Sequence, residues 1–147
     1  MRVRGAVLNA LAYVAGGSIV DNLIFQFVPP KITGLRRSPL LPPGWIVGLV
    51  WLGLFAQLGI ARSELAEHPH ERRLLDAFYL FCLAYPLYTG GLQNRAMSYA
   101  GNVATIGAAS GLAQRVRRVS PVASALLLPV IGWVGYATLG MLAEQEV

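Results

Sequence analysis

The chain has 147 residues, of which 55% are hydrophobic and 13% are charged, and its mean hydropathy is +0.53. Soluble domains carry about 25% charged residues, so this composition excludes an ordinary soluble protein and indicates one compact integral membrane domain. The net charge of +5 comes from arginine clusters between apolar runs, a distribution typical of topology signals and not of a nucleic-acid-binding face. The single cysteine, Cys82, excludes an internal disulfide and a multi-cysteine metal site.

The first apolar segment, residues 5–28, follows a basic start that imitates a signal peptide. Because apolar residues resume after the small residues at its centre, we predict a retained helix that ends at a pair of prolines. Asp21 lies inside this helix. The connection that follows, residues 29–42, carries Arg36 and Arg37 and is long enough to cap the mouth of a helix bundle.

The second segment, residues 43–64, contains the run PPGWIVGLVWLGLFAQLGIA, in which Gln57 is the only strongly polar side chain. About 20 residues at a rise of roughly 1.5 Å span a hydrocarbon core of about 30 Å. The prolines stand where a helix tolerates them, at its first turn, and Trp45 follows at interfacial depth. This stretch therefore predicts a membrane-spanning helix.

Three further segments complete the pattern. The third, residues 74–92, contains Pro86 and is predicted to kink there. The fourth, residues 96–114, is rich in small residues that let helices approach closely. The fifth, residues 119–143, contains Pro129, a second predicted kink. The sequence thus predicts an all-α fold, an integral membrane bundle of five transmembrane helices.

The distribution of basic residues predicts the orientation of this bundle. Five spans place the two chain ends on opposite sides of the membrane, and cytoplasmic loops carry an excess of arginine and lysine. We therefore predict a bacterial-type inner-membrane protein with its N-terminus in the cytoplasm and its C-terminus outside. One side then holds Arg2, Arg4, Arg62, Arg72, Arg73, Arg115, Arg117 and Arg118, and the other holds Lys31, Arg36, Arg37 and Arg95.

Two motifs carry a family resemblance. Pro42-Pro43-Gly44-Trp45 is followed by Trp51 six residues later, and the fifth segment reads PVIGWVGYATL. These motifs, with the long first loop, resemble those of the TspO/MBR family, the tryptophan-rich sensory proteins of bacteria and the translocator protein (peripheral benzodiazepine receptor) of mitochondria. The chain departs from the family pattern in the third helix, where Tyr85 replaces a tryptophan and Cys82 an asparagine. In the fifth helix Val130 replaces a tyrosine and Met141 an asparagine.

The resemblance implies a ligand pocket among the helices. Aromatic residues at the positions of Trp51 and Trp133 face, in family members, a cavity for flat apolar ligands, porphyrins above all. Aromatic faces stack on a planar macrocycle, and an indole N–H anchors a polar edge. The alternative is an interfacial aromatic belt with ordinary packing, to which we expect Trp45 to belong. The candidate ligand-binding residues are Trp45, Trp51, Tyr85, Tyr88, Trp133, Tyr136, Ala137, Asp21, Arg36 and Arg37.

The charged candidates have two interpretations. Ionisable groups inside membrane helices are expensive, so Asp21 is a functional candidate for anchoring a ligand or handling protons. It also lies roughly 10 Å from the segment end, so it can reach the headgroups or pair with Arg36, Arg37 or Arg95. The loop arginines can bind porphyrin propionates or lipid headgroups, or remain solvated. We predict no metal site at His68 and His70, because an exposed loop offers no preformed geometry.

We therefore expect a membrane receptor or carrier, sensory or transporting, without catalytic residues. It requires no cofactor, and its expected ligand is a tetrapyrrole of the porphyrin or haem type, with sterol-like or isoprenoid lipids second. A small isomerase- or cyclase-like membrane enzyme on an isoprenoid, carotenoid or tetrapyrrole is the main alternative, with Asp21, Tyr85 or Tyr88 as acid–base groups. A structural assembly subunit is a third class. The expected partners are the ligand, the bilayer and, by family resemblance, a second copy of the chain, but no nucleic acid.

Overall fold

The computed structural model describes residues 2–27, 40, 42, 44–85, 87 and 95–143, apart from the side chains of residues 25, 27 and 95. These residues form five α-helices and no strand, which confirms the all-α prediction. The helices are α1 Arg2–Phe27, α2 Gly44–Glu64, α3 Pro69–Leu83, α4 Arg95–Val116 and α5 Pro121–Ala143.

The largest difference from the predicted boundaries is the start of α3, which begins at Pro69 and not at residue 74. Its first turn, PHERR, is charged, but proline fits the first helical position and Glu71 is favourable near a helix N-terminus. α1 begins three residues before the predicted position and α5 two residues after it. The predicted end of the third helix at residue 92 and its kink at Pro86 lie outside the described residues.

The start of α5 is set by a capping contact. The hydroxyl oxygen of Ser120 accepts the backbone N–H of Ala123 at 3.1 Å, and Pro121 takes the first helical position. The helix then continues through Pro129 to its end at Ala143. The side chain of Ser124 ties this helix to α4 by donating to the carbonyl oxygen of Ala113 at 2.8 Å.

Three of the helices are long and apolar enough to cross a membrane by themselves, within the described residues: Arg2–Ile24 in α1, Trp45–Glu64 in α2 and Pro121–Ala143 in α5. The described part of α3 has 15 residues, which is short for a span. α4 has 22 residues but carries many small and polar side chains, which lowers its hydropathy. In the bundle α3 packs against α1 and α2, and α4 packs against α5.

The helices form a closed ring in the order α1, α2, α5, α4, α3, and α2 also contacts α3 across the ring. α2 packs against α1, α3 and α5, and its side chains Phe55 and Leu58 are almost completely buried. From α5, Leu127, Val130 and Val134 are buried to the same degree. Successive helices are antiparallel, so the starts of α1, α3 and α5 share one end of the bundle with the ends of α2 and α4.

A close approach joins α1 to α2. A Cβ added at Gly59 would lie 2.5 Å from the carbonyl oxygen of Asn9 and 2.6 Å from the Cα of Ala10. No side chain fits at this crossing, so glycine is required there for the two backbones to touch. The contact brings the aromatic side chains of α2 against α1.

A charged cluster links three helices at the arginine-rich end. Asp76 of α3 accepts hydrogen bonds from the hydroxyl group of Tyr13 and, at 2.8 Å, from Nε of Arg62. Nη1 of Arg62 also donates to the side-chain oxygen of Asn9 at 2.6 Å. The side chains of Arg62 and Asp76 are 31% and 36% exposed, so the pair lies at the edge of the bundle and not at its centre. This cluster fixes the register of α1, α2 and α3.

Candidate functional site

A row of contacting aromatic rings, which we call the aromatic row, crosses the interior through Tyr13, Tyr79, Phe55, Trp51 and Tyr85. The rings of Tyr13 and Tyr79 stack with centroids 3.8 Å apart, and Phe55 meets Tyr79 edge-on at 5.4 Å. Trp51 then contacts Phe55 at 5.6 Å and Tyr85 at 4.9 Å. Trp51 is 7% exposed, so its indole lies inside the bundle.

The aromatic row ends at a hydrogen-bonded group around Asn102, which we call the Asn102 junction: Tyr85, Asn102, Thr138 and Met141. The hydroxyl group of Tyr85 donates to Oδ1 of Asn102 at 2.6 Å. Nδ2 of Asn102 donates to Oγ1 of Thr138 at 3.0 Å and lies 3.5 Å from the sulfur of Met141. Asn102 of α4 is completely buried, and its amide joins Tyr85, two residues after the end of α3, to Thr138 of α5. These bonds satisfy a polar group that would be costly to leave unpaired in the interior.

The side of α5 next to this junction carries the predicted signature residues. Trp133 is half-buried against the core, and its ring lies 5.8 Å from that of Tyr136. Ala137 is half-buried one turn after Trp133, on the same side of the helix. The hydroxyl group of Tyr136 donates to the backbone carbonyl of Leu40, so this side chain holds the end of the predicted capping loop against α5.

The structure therefore brings some of the predicted site residues together and places Trp45 apart from them. Trp51 and Tyr85 are in contact, and Tyr85 is joined through Asn102 to α5 immediately beside Ala137. Trp45, in contrast, is 69% exposed at the start of α2, as an interfacial position requires, and it lies outside this interior group.

Of the remaining predicted site residues, only Asp21 lies among those that the structure describes. Asp21 is half-buried, and its Oδ1 atom is buried without a hydrogen-bond partner among the described residues. Tyr88, Arg36 and Arg37 lie outside those residues, and so do the predicted pairings of Asp21 with the loop arginines.

Four surface cavities are lined by described residues, and none of these four is the predicted cavity under the capping loop. Two lie beside α3 and α4, one between α4 and α5, and one at the arginine-rich end. Neither Trp51 nor Trp133 lines any of the four. Residues 29–39, which would roof the expected pocket, lie outside the description, so this pocket stays a prediction.

Sequence reasoning missed Asn102 and the charged cluster. Asn102 could have been flagged, because a lone amide in an apolar helix is expensive and needs a partner. Nothing in the spacing of Arg62 and Asp76 along the chain indicates that they meet. Among the described residues, no three His, Cys, Asp or Glu side chains are grouped to hold a metal ion. What the interior offers a ligand is aromatic surface with hydroxyl and amide groups.

Comparison with known proteins agrees with the architecture. The sequence profile of the TspO/MBR family matches residues 7–143, nearly the whole chain. The chain is also similar to the translocator protein of Ovis aries, with 29% identity over 114 residues that cover 71% of this chain and 67% of the sheep protein. The five-helix bundle with three strongly apolar spans is the arrangement expected of that family. This integral membrane protein, as the resemblance of its motifs predicted, therefore belongs to the TspO/MBR family.

Proposed function

We propose that the protein is a membrane receptor or carrier that binds a flat hydrophobic molecule at the loop end of the bundle, between α2 and α5. A tetrapyrrole of the porphyrin type is the preferred ligand, and sterol-like or isoprenoid lipids come second. The ligand has a sensory or transported role and is not a resident cofactor. Family membership and the similarity to a translocator protein support this class of function.

The observation that carries the proposal is the position of Trp51. Its indole is 7% exposed, about two turns below the start of α2, and it contacts the rings of Phe55 and Tyr85. An aromatic face at this depth is shielded from water, and a planar macrocycle can stack on such a face. Trp133 and Ala137 of α5 supply the opposite wall in this proposal.

Polar groups at the same end would orient the ligand. The Asn102 junction presents hydroxyl and amide groups next to the aromatic surface. Arg36 and Arg37 of the capping loop would bind the carboxylates of a porphyrin, and the loop would move to admit it. Tyr136, bonded to Leu40, is the described contact that such a movement would break.

An enzyme acting on a hydrophobic substrate in the same place is the second proposal. The observation that favours it is the hydroxyl group of Tyr85, which is held at 2.6 Å by a buried amide beside the aromatic row. A positioned phenol can act as a general acid toward an isoprenoid, carotenoid or tetrapyrrole substrate. Asp21 and Tyr88 are the other acid–base candidates.

The membrane arrangement belongs to the same proposal. Eight arginines at the end of the bundle where α1 begins support a cytoplasmic N-terminus and an external C-terminus in a bacterial-type inner membrane. A homodimer, which the family resemblance implies, is part of the same proposal.

The test is a titration of the detergent-purified protein with protoporphyrin IX, followed by tryptophan fluorescence and then by mass spectrometry of the recovered ligand. We expect saturable quenching and an unchanged ligand. Trp51→Phe should weaken binding roughly two- to tenfold, because part of the aromatic contact is lost. The matched control is Trp45→Phe on the same helix, which should bind like the wild type because Trp45 is 69% exposed.

Three outcomes contradict the first proposal. Quenching that never saturates means that no site exists, and equal affinities of the two variants place the site elsewhere. A chemically altered ligand, produced in proportion to time and protein, favours the enzyme. In that case Tyr85→Phe should slow turnover more than it weakens binding.

A further inference from the structure

A groove on the surface of the bundle lies between α3 and α4 and has a volume of about 450 Å³. It is separate from the aromatic row and from the proposed ligand site. Its lining includes Leu74, Phe78, Phe81, Gly107, Gly111 and Arg115, so its walls are apolar except at the arginine end. A Cβ added at Gly107 or Gly111 meets no atom within 4 Å, so the groove is open along α4.

The polar end of the groove is basic. Arg115 also lines a second cavity of about 510 Å³, together with Gln114, Arg118 and Glu71. The side chain of Arg115 is 53% exposed, and its Nε lies 4.0 Å from Oε1 of Glu71. That distance is too long for a hydrogen bond, so the donors of the guanidinium group remain available to an anion.

The length of the groove matches one leaflet of a bilayer. Gly107 and Arg115 are eight residues apart on α4, which corresponds to about 12 Å along the helix axis. Half of the hydrocarbon core is about 15 Å thick. Arg115 lies one residue before the end of α4, where the chain leaves the membrane, so the basic end is at headgroup depth and the apolar part beside the acyl chains.

We infer that this groove binds one anionic phospholipid from the leaflet on the Arg115 side of the membrane. One acyl chain lies along Gly107 and Gly111 against Phe78 and Phe81, and the phosphate binds Arg115 and Arg118. Charge complementarity selects this occupant over a second copy of the chain, because a two-fold axis here would bring like-charged arginines together. The inference does not depend on the proposed ligand of the interior.

The test measures binding of phosphatidylglycerol and of phosphatidylcholine with the same acyl chains to the full-length protein, by native mass spectrometry from detergent micelles. We expect one phosphatidylglycerol molecule to bind more tightly than phosphatidylcholine. The double variant Arg115→Gln, Arg118→Gln should remove that preference, because each arginine is expected to raise the affinity for phosphatidylglycerol roughly fivefold. The matched control is Arg4→Gln, which removes a charge at the same end of the bundle but outside the groove.

A second pair of variants tests the apolar part. Gly111→Leu fills the groove and should weaken both lipids. Gly132→Leu on α5, where an added Cβ also meets nothing within 4 Å, should weaken neither. A helical circular-dichroism spectrum and an SDS unfolding midpoint like those of the wild type would show that Gly111→Leu is folded.

Three results would each overturn the inference. If Arg4→Gln reduces the preference for phosphatidylglycerol as much as the double variant does, the attraction is only diffuse charge. If Gly111→Leu binds both lipids normally, the acyl chain lies elsewhere. If Gly111→Leu dissociates a dimer and leaves lipid binding unchanged, the groove binds a second copy of the chain.

Discussion

Replacing Tyr85 with phenylalanine removes one hydroxyl group from the Asn102 junction and changes nothing else in the side chain's shape. That hydroxyl group donates to Oδ1 of Asn102 at 2.6 Å, and Asn102 is 0% exposed. Without the donor, the amide oxygen stays buried with no water to replace it. The other end of the amide keeps its bond to Thr138, so the loss is confined to one contact.

The expected cost follows from this geometry. Hydrogen bonds between membrane helices contribute about 0.6 kcal/mol on average and up to about 1.7 kcal/mol. A short bond to a completely buried acceptor belongs near the upper value, because the acceptor cannot exchange its partner for solvent. We therefore expect Tyr85→Phe to lower the free energy of unfolding by about 1.5 kcal/mol.

The measurement is the free energy of unfolding from an SDS titration in mixed micelles. Tyr99→Phe is the matched control, since the hydroxyl group of Tyr99 is buried without a hydrogen-bond partner among the described residues. Its removal should leave the stability unchanged or raise it slightly. If the two variants unfold at the same SDS concentration, the Asn102 junction does not stabilise the bundle and the reasoning is refuted.

Three further changes test other parts of the fold. Asp76→Leu should lower the unfolding free energy by about 2 kcal/mol, because it removes two charge-assisted hydrogen bonds at a partly exposed position; Glu67→Leu, at an exposed carboxylate, should change it by less than about 0.5 kcal/mol. Gly59→Leu should cost about 3 kcal/mol or more, since its Cβ has no room between α1 and α2, whereas Gly48→Leu should be tolerated. Cys82, 1% exposed, should react with a water-soluble maleimide only after unfolding.

These three predictions fail in different ways. If Asp76→Leu and Glu67→Leu have equal unfolding free energies, the charged cluster does not stabilise the bundle. A stable Gly59→Leu protein means that α1 and α2 are not in backbone contact. Rapid labelling of folded protein means that the inner face of α3 is open to water.

Helices α1, α2 and α5 could be predicted from the sequence because each is long and apolar enough to cross a membrane and is bounded by prolines or charges. The start of α3 could not be predicted, because the charged residues of the PHERR stretch are typical of a solvated loop. In the structure they form the first helical turn, since proline is accommodated at its first position and Glu71 is favourable near a helix N-terminus. Local polarity is thus a poor guide to where a membrane helix begins.

Two tryptophans of α2 show which part of the candidate site could be predicted from the sequence. Trp45 and Trp51 are six residues apart on α2, so their side chains point about 120° apart around the helix. Trp45 stands at the start of the helix, at interfacial depth, and this position predicts that it is the exposed one. The partner of Trp51 could not be read in this way, because Tyr85 approaches it only through the packing of α3 on α2.

The polar contacts were the least predictable part. Asn102 meets Tyr85 and Thr138, and Asp76 meets Arg62, each across two or three helices. Such pairings depend on helix rotation and depth, which hydropathy does not specify. A buried amide can be recognised in the sequence as needing partners, but the identity of those partners needs the structure.

The most direct test of the proposed function is to map where the ligand sits. A porphyrin carrying a photoreactive diazirine would be cross-linked to the full-length protein in detergent, with and without an excess of unmodified protoporphyrin IX, and the labelled peptides identified by mass spectrometry. We expect competed labels on α2 around Trp51 and on α5 around Trp133 and Ala137. Competed labels confined to the groove between α3 and α4, or to the exposed surface around Trp45, would contradict the proposal.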